Sequence, residues 1–408
     1  MKKYFFFILS ILFFNCTNKQ NKIVRYTEEQ ITALGLDSSI ILTVETDSVI
    51  KIDLNPFLKT QNYELGSLVE EVKIIPLETT NESLLDAIYK ILVTDSNIYI
   101  YDKFKGGGIV VFNKDGKFIK RISNGPGPGE LRRLYDISYD SERNELVAFQ
   151  HSFFLFFGPS GEFIRQERPP FVFYNFSIIP NGYVFKALDK QGNGHLGILE
   201  YYTFFVTDKN YKLKSVALPV LPNNINFGGY NYLYENNHAI MVTERFSDTI
   251  YQYILETDRL KAIYIIDYSK KKLPDYYLQG SHEEFENSII QNDYYYYLGE
   301  YIETNSHHAF VLMNDHSGLR TIIYRDKQSG NLKGGNYGIC EGIYGMPSMS
   351  LPRAASGNWF ISLHTPDKND DFLSNTNTSI VSNTEKQKIL NLLEDDNPVL
   401  VFYRLKNF

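Results

Sequence analysis

The sequence predicts an all-β fold, a six-bladed β-propeller made of four-stranded antiparallel blades. Short apolar strands separated by turn residues recur along the 408-residue chain, at the interval of about 40 residues that is typical of propeller blades. The chain contains 31 Tyr and 29 Phe residues but one Trp, and aromatic side chains favour strands. One further apolar strand precedes the first blade, as expected of a ring that an N-terminal strand closes.

The N-terminus has the three parts of an export signal. Two lysines precede an apolar run over residues 4–14, and polar sequence follows. This run is too short to span a bilayer, which needs about 20 residues. We therefore predict a signal peptide over residues 1–15. The residues around Cys16 resemble a relaxed bacterial lipobox, so Cys16 is the predicted lipid attachment site; the alternative is an ordinary secretory peptide with an incidental cysteine.

Residues 16–48 are predicted to form a polar tether that includes a weak helix, Thr27 to Leu36. The chain has only two cysteines. If Cys16 carries lipid, Cys340 has no partner for an intramolecular disulfide, and the fold depends on packing alone. We expect Cys340 to be a small buried apolar residue.

Residues 49–408 are predicted to form the propeller. The first blade, Ile88–Ile122, shows the pattern clearly, with four strands and a tight hairpin turn at 113–116. The later blades follow in order: Tyr135–Arg168, Phe176–Leu218, Tyr232–Ile266, Leu298–Leu332 and a unit that begins near Met346 and resumes at Pro398.

The last unit lacks a fourth strand, and the spare strand Leu68–Leu77 is predicted to supply it. This closure would also hide an exposed sheet edge. An insert at about 366–397 interrupts the last unit and carries a predicted helix, Asn383–Leu393, with an Asn-Thr start and apolar residues in its second half.

Four phrases carry a resemblance to a known family: 75–80 (IPLETT), 124–130 (NGPGPGE), 246–251 (FSDTIY) and 394–400 (EDDNPVL). In this order they resemble the six-bladed β-propeller lipoproteins of Bacteroidota, over nearly all of the chain from about Val49. The resemblance implies a TolB-like or NHL-like propeller on an envelope lipoprotein. It implies no catalytic residues.

Charge and motifs exclude several classes of function. The formal net charge of −7 argues against nucleic-acid binding, which needs a basic surface. We find no HExxH or Gly-x-Ser-x-Gly motif, and we predict no cofactor, metal or catalytic residue. The loop 125–130 is predicted to be a rigid crossing between blades. The calcium-like spacing at 367–371 fails where Phe372 replaces the glycine.

Polar residues are expected to converge on one face of the propeller. Loops that join second to third strands lie on the same face as the connections between blades. The candidate ligand residues there are Lys103, Lys105, Glu130, Arg132, His151, Arg245, His316 and His364, next to Asp102, Arg133, Asp189, Lys190, Glu244 and Asp315. They would suit an anionic or sugar-like ligand. The alternative is that these residues only solvate loops and cap turns.

We expect a non-catalytic binding or scaffolding module that recognises a protein, peptide or glycan. It would be a monomer, anchored by lipid in the cell envelope, at the outer membrane and facing the periplasm. The alternative is a propeller enzyme, either a carbohydrate lyase or a metal-dependent hydrolase. A metal enzyme should gather at least three of the following residues around one point: His151, Glu244, Asp315, His316 and His364. Tyr294–Tyr297 is predicted to be a strand, with a sugar platform as the alternative.

Overall fold

Six small antiparallel sheets surround a common axis, and the innermost strands of successive sheets contact one another in a closed ring. The computed structural model describes residues 25–58, 64–104, 107–189, 192–225, 229, 231–236, 239–314, 319–337, 346, 349–366 and 380–408. The predicted six-bladed propeller is confirmed.

The strands follow the predicted blades closely. Two strands precede the blades, β1 (Ile50–Asp53) and β2 (Val69–Pro76). Blades 1 to 3 consist of β3 (Ile88–Val93), β4 (Asn97–Asp102), β5 (Gly108–Asn113), β6 (Phe118–Ile122), β7 (Leu134–Asp140), β8 (Glu145–Gln150), β9 (Phe153–Phe157), β10 (Phe163–Glu167), β11 (Asn175–Ile179), β12 (Gly182–Lys186), β13 (Tyr202–Asp208) and β14 (Leu213–Pro219). Blades 4 to 6 consist of β15 (Leu233–Asn236), β16 (Ala239–Val242), β17 (Thr249–Ile254), β18 (Arg259–Asp267), β19 (Tyr296–Glu303), β20 (His307–Asn314), β21 (Leu319–Asp326), β22 (Leu332–Tyr337), β23 (Ala354–Ser356), β24 (Trp359–His364) and β25 (Val399–Leu405).

The hairpin turn between β5 and β6 shows why the strands turn where they do. The Asn113 side chain accepts hydrogen bonds from the backbone N–H groups of Asp115 and Lys117, both at 2.9 Å. Gly116 has a φ of +80°, and a Cβ there would lie 2.0 Å from the Pro76 carbonyl oxygen. The turn therefore requires an Asx residue and a glycine, which is the local signal that the sequence carries.

The N-terminal strand closes the ring as predicted. β2 pairs antiparallel with β25, in a register that places Val72 opposite Tyr403. Beside this pair, Asn397 is buried and its amide nitrogen donates to the carbonyl oxygens of Glu78 and Ser83, both at 3.0 Å. Its backbone N–H donates to the Thr79 hydroxyl at 2.8 Å. Two of the four family-like segments, 75–80 and 394–400, are thus hydrogen-bonded to each other where the ring closes.

Residues 25–58, here called the N-terminal strap, lie along the outer edges of blades 3 and 4. The strap accepts a hydrogen bond from β14 at the Leu34 carbonyl and donates one back from Leu42. Its strand β1 adds a fifth strand parallel to β18. The part of the strap before β1 falls in the predicted tether. Because it covers two outer strands, it protects edges that would otherwise be open to pairing.

Within the described residues, four α-helices lie outside the blades: α1 (Glu28–Ala33), α2 (Leu65–Leu68), α3 (His282–Asn292) and α4 (Asn383–Leu390). The two predicted helices correspond to α1 and α4. α4 packs on β2, where the Lys388 ammonium donates to the Ile74 carbonyl at 2.8 Å. α3 was not predicted, although Ser281 and Glu284 form a capping box at its start. In the described part of the chain, no helix has the length and apolarity needed to cross a membrane.

A buried histidine makes the stability of blade 5 sensitive to acid. His308 in β20 packs against the rings of Tyr264 and Tyr301. Burial, reinforced by the nearby Lys327, holds the pKa of His308 well below its usual value. The unfolded chain binds a proton near the ordinary pKa of about 6.5, whereas the folded chain does not. This histidine therefore does not lower the free energy of unfolding above about pH 6.5, and it lowers that free energy as the pH falls below this value.

We expect the free energy of unfolding to fall by about 1 kcal/mol for this histidine between pH 7 and pH 5.5. Chemical denaturation at several pH values would measure it. His308→Phe should flatten the slope, while Phe163→Ala in β10, which removes no titratable group, should leave the slope unchanged. A slope that is the same in His308→Phe and the unmodified chain would contradict this assignment.

Candidate functional site

A cavity of about 600 Å³ runs along the propeller axis. Its wall is built from the first strand of each blade, β3, β7, β11, β15, β19 and β23, together with the residues that precede β23. Exposed residues of the β3–β4 and β7–β8 turns, including Ser96 and Ser141, also line it. The cavity therefore opens on the face that carries the turns between first and second strands, here called the hairpin face.

The opposite end of the cavity is narrowed by tyrosines. The opposite face, here called the crossover face, carries the connections between blades and the turns between second and third strands. Tyr89 at the start of β3 and Tyr174 just before β11 meet there, with their hydroxyl oxygens 2.7 Å apart. Because blades 1 and 3 are not neighbours, this hydrogen bond spans part of the axis.

A buried ion pair lies in the wall between blades 1 and 2. The Lys90 ammonium lies 2.7 Å from Asp136, whose side chain is fully buried. The second carboxylate oxygen of Asp136 accepts from the Asn175 amide and the Phe176 backbone N–H, both at 3.1 Å. Asp136 is thus held by blades 1, 2 and 3, and its charge is already matched by Lys90.

Glu235 projects from β15 into the same cavity. Its side chain is accessible from the cavity but enclosed by protein, and this desolvation raises the pKa of its carboxyl. Lys90 and the hydroxyls of Ser177 and Ser138 act in the opposite direction. The residues that the structure describes include no cation in an ion pair with Glu235.

Blade 5 contributes a second carboxyl. Burial also raises the pKa of Glu300 in β19, while the guanidinium groups of Arg320 and Arg353 lower it. Arg353 additionally donates to the Ile88 carbonyl of blade 1 at 3.0 Å. The cavity wall is therefore richer in cations next to Glu300 than next to Glu235.

The candidate residues of blade 1 make contacts within the fold that stabilise the crossover face. Asp102 is fully buried, accepts from the Ala87 N–H at 3.0 Å and forms an ion pair with Arg121 at 3.3 Å. Lys103 is exposed, and its ammonium lies 4.4 Å from the centre of the Tyr89 ring. Asp102 therefore fits the alternative stated for the sequence candidates, in which a polar residue only caps a turn.

The charged residues of the glycine–proline loop form hydrogen bonds with the backbone of the same loop. The Glu130 carboxylate accepts from the Gly127 N–H at 2.6 Å. The Arg132 guanidinium donates to the Pro126 carbonyl at 2.9 Å. Both side chains remain exposed, as does His151 in the β8–β9 turn. The loop is a crossing between blades 1 and 2, in agreement with its structural interpretation.

The remaining candidates differ in burial. His364 in β24 is 1% exposed, Arg245 is half-buried beyond β16, and Asp189 is half-buried after β12. Glu244 is buried beside Lys186, with 2.9 Å between carboxylate and ammonium. Outside the described residues lie Cys16, Lys105, Lys190, Asp315, His316, Cys340 and the calcium-like segment 367–371.

The structure does not bring the described candidates together at the cavity. Lys103, Glu130, Arg132, His151, Arg245 and His364 are spread around the crossover face, and none lines the cavity. Over the described ranges, no three His, Cys, Asp or Glu side chains form a group that could hold a metal. Tyr296 and Tyr297 begin β19, and Tyr295 forms an isolated bridge with Lys272. These three rings are buried, so the strand prediction holds for the second half of Tyr294–Tyr297, whereas Tyr294 precedes the strand.

The cavity residues Lys90, Glu235 and Glu300 were not among the sequence candidates. Each is an ionisable residue in or beside a first strand, within a run of apolar and aromatic residues. A charged residue on a buried strand is a signal from which cavity residues can be predicted, because an unpaired charge there must face a partner or a cavity. The sequence candidates lie instead in loops and at the ends of strands.

The chain is similar to known proteins at the level of family and of fold. A family model described as "Domain of unknown function (DUF4934)" matches residues 48–404. A Bacteroides fragilis protein described as a candidate exported protein has a TM-score of 0.70 and 18% identity, covering 88% of this chain and 100% of its own. BamB from Moraxella catarrhalis has a TM-score of 0.40 and 9% identity, covering 83% and 100%. No curated protein matches. The similarity to the Bacteroides fragilis protein supports the fold alone.

Proposed function

The chain belongs to the DUF4934 family, and from the geometry of its own cavity we propose that it is a non-catalytic binding propeller of the cell envelope. The observation that carries the proposal is the axial cavity of about 600 Å³, open on the hairpin face and lined by all six blades. Concave sites with a few convergent polar groups are the usual places of ligand binding. A peptide or a glycan, free or as part of an envelope protein, would enter from the hairpin face.

Blocking the cavity mouth tests this function. Ser96→Trp with Ser141→Trp places two large side chains in exposed turns at the mouth. We expect this variant to lose envelope peptides or glycans that the unmodified chain captures on arrays. Lys103→Ala on the crossover face is the matched control and should retain them. Loss of capture with Lys103→Ala, and retention with the mouth variant, would place binding on the crossover face instead.

We propose that lipid on Cys16 anchors the protein. The signal-like sequence before Cys16 supports export, and the similarity to a candidate exported protein is consistent with it. Cys16→Ser should move the protein from the detergent phase to the aqueous phase in phase partitioning. Gln20→Ser, which keeps the cysteine, should behave like the unmodified chain. Unchanged membrane association of Cys16→Ser would overturn the anchor.

The strap supports an orientation for the anchored propeller. Arg25 donates to the Ser152 hydroxyl at 2.6 Å, in the β8–β9 turn of the crossover face. The chain between residues 16 and 25 can reach at most about 30 Å. A lipid on Cys16 would therefore keep the Ser152 turn of the crossover face within about 30 Å of the anchor, which favours the crossover face as the one nearer the membrane.

An enzyme is the second candidate, and one observation favours it. Glu235 and Glu300 share a cavity and both have a raised pKa, which is a property of acid–base catalysts. Turnover of glycan substrates that is lost in both Glu235→Gln and Glu300→Gln would favour the enzyme. Capture without turnover would favour the binding function.

A further inference from the structure

The charges that line the cavity are not evenly matched. Lys90 is matched by Asp136 at 2.7 Å, and Glu300 lies in the field of Arg320 and Arg353. Glu235 is left with two serine hydroxyls and a lysine whose charge is already compensated. A cavity-facing carboxylate without its own cation favours a cation from outside, because the protein that surrounds the cavity replaces part of the bulk water that would solvate the charge.

We propose that the cavity binds a polar ligand through a primary ammonium group, with the Glu235 carboxylate as the partner of that group. The inference rests on the proposed function, since it takes the cavity to be a ligand site. It goes beyond that function because it names the chemical group that is recognised and the residue that recognises it.

The surroundings of Glu235 fit an ammonium better than an anion. Ser138 and Ser177 line the same cavity, and their hydroxyl oxygens can accept hydrogen bonds, of which an ammonium donates three. The Glu300 side has two guanidinium groups, which repel a cation. Charge therefore directs an ammonium to the blade 3–4 side of the cavity, where Glu235 lies.

The contribution of such a contact to the free energy of binding falls in a known range. A hydrogen bond to a charged group contributes about 1.5–3 kcal/mol, which corresponds to a change of at least tenfold in affinity. Glu235→Gln keeps the shape of the side chain and removes its charge. We expect this variant to bind an ammonium ligand at least tenfold more weakly, whereas Asp115→Asn, in the exposed β5–β6 turn and outside the cavity lining, should change affinity less than threefold.

Two pairs of small probes separate the possible sources of the ammonium. Glucosamine against N-acetylglucosamine tests an amino sugar, and lysine amide against its Nε-acetyl derivative tests a peptide side chain. Isothermal titration calorimetry on the full mature chain measures the four affinities. In at least one pair the free amine should bind tightly enough to measure, and its acetylated partner at least tenfold more weakly. Affinity for the amine should also fall as the pH drops through the raised pKa of Glu235.

Equal affinities within both pairs, or an unchanged affinity in Glu235→Gln, would overturn the inference, as would the absence of binding by every probe. The proposed function is judged separately by the mouth variant. If array capture is lost in Ser96→Trp with Ser141→Trp while amines show no preference, the cavity is a ligand site and only the ammonium assignment fails. Thermal unfolding of each variant checks that it is folded.

Discussion

Replacing Glu244 by alanine is expected to lower the free energy of unfolding by about 3–5 kcal/mol. Its carboxylate accepts from the Lys186 ammonium at 2.9 Å and from the Thr203 hydroxyl at 2.8 Å. The Lys186 side chain is 2% exposed, and burial lowers the pKa of its ammonium in spite of the pair. Without Glu244, the buried ammonium would keep, among the described residues, the Ala187 carbonyl as its hydrogen-bond partner.

The pH dependence identifies the cause. In Glu244→Ala, the pKa of folded Lys186 should fall further, while the unfolded lysine keeps a value near 10.4. The unfolded state then binds more protons at intermediate pH, so stability should rise from pH 7 to pH 9. Urea denaturation at each pH measures this.

Two further variants control the experiment on the buried pair. Lys186→Met with Glu244→Leu removes both charges and should be close to neutral. Glu142→Ala breaks the exposed pair with Lys209, 3.4 Å apart, and should cost less than about 1 kcal/mol. A loss in Glu244→Ala as small as in Glu142→Ala would contradict the importance of the buried pair.

Phe154→Ala is expected to destabilise the protein by about 3–5 kcal/mol. The Phe154 ring in β9 is fully buried at the junction of blades 2 and 3. Its centre lies 4.5 Å from that of Phe176 and 5.6 Å from those of Phe173 and Tyr183. Truncation would remove a ring from the middle of this aromatic cluster and leave a cavity that rigid neighbours cannot fill.

Phe163→Ala provides the matched control for this prediction. Phe163 lies in the adjacent strand β10 and is 40% exposed, so its truncation should cost much less. Denaturation midpoints of the two variants, measured in the same buffer, give the comparison. Equal losses would indicate that the interface between blades 2 and 3 adds nothing to the packing of the ring.

The blades were predictable because their turns are determined locally. Residues 113–116 contain both the Asx side chain and the glycine that the turn requires, so the strands on either side could be located. The strap was not predicted to pack, because its partners on β14 and β18 are distant in sequence. α3 could have been found, since its capping box precedes the apolar pair Phe285 and Ile289.

The cavity was harder to predict than the fold. Its charged residues come from separate blades, and nothing near Lys90 in the sequence indicates Asp136 or Glu235. The loops of the crossover face, in contrast, contain obvious polar residues, and most of those described are used within the fold, as Asp102 and Glu244 are. Burial, rather than residue type, separates the charges that hold the fold from those that face the cavity.

The pairing of β2 with β25 has a consequence for the order of events during synthesis. β2 lies far before β25 in the chain and emerges from the ribosome well before it. Until then, blade 6 lacks one of its central strands, and the first and last blades cannot be held together. Closing so large a loop has an entropic cost that local hairpins avoid. The nascent protein must therefore carry an open ring, with β2 unpaired, until β25 has been made.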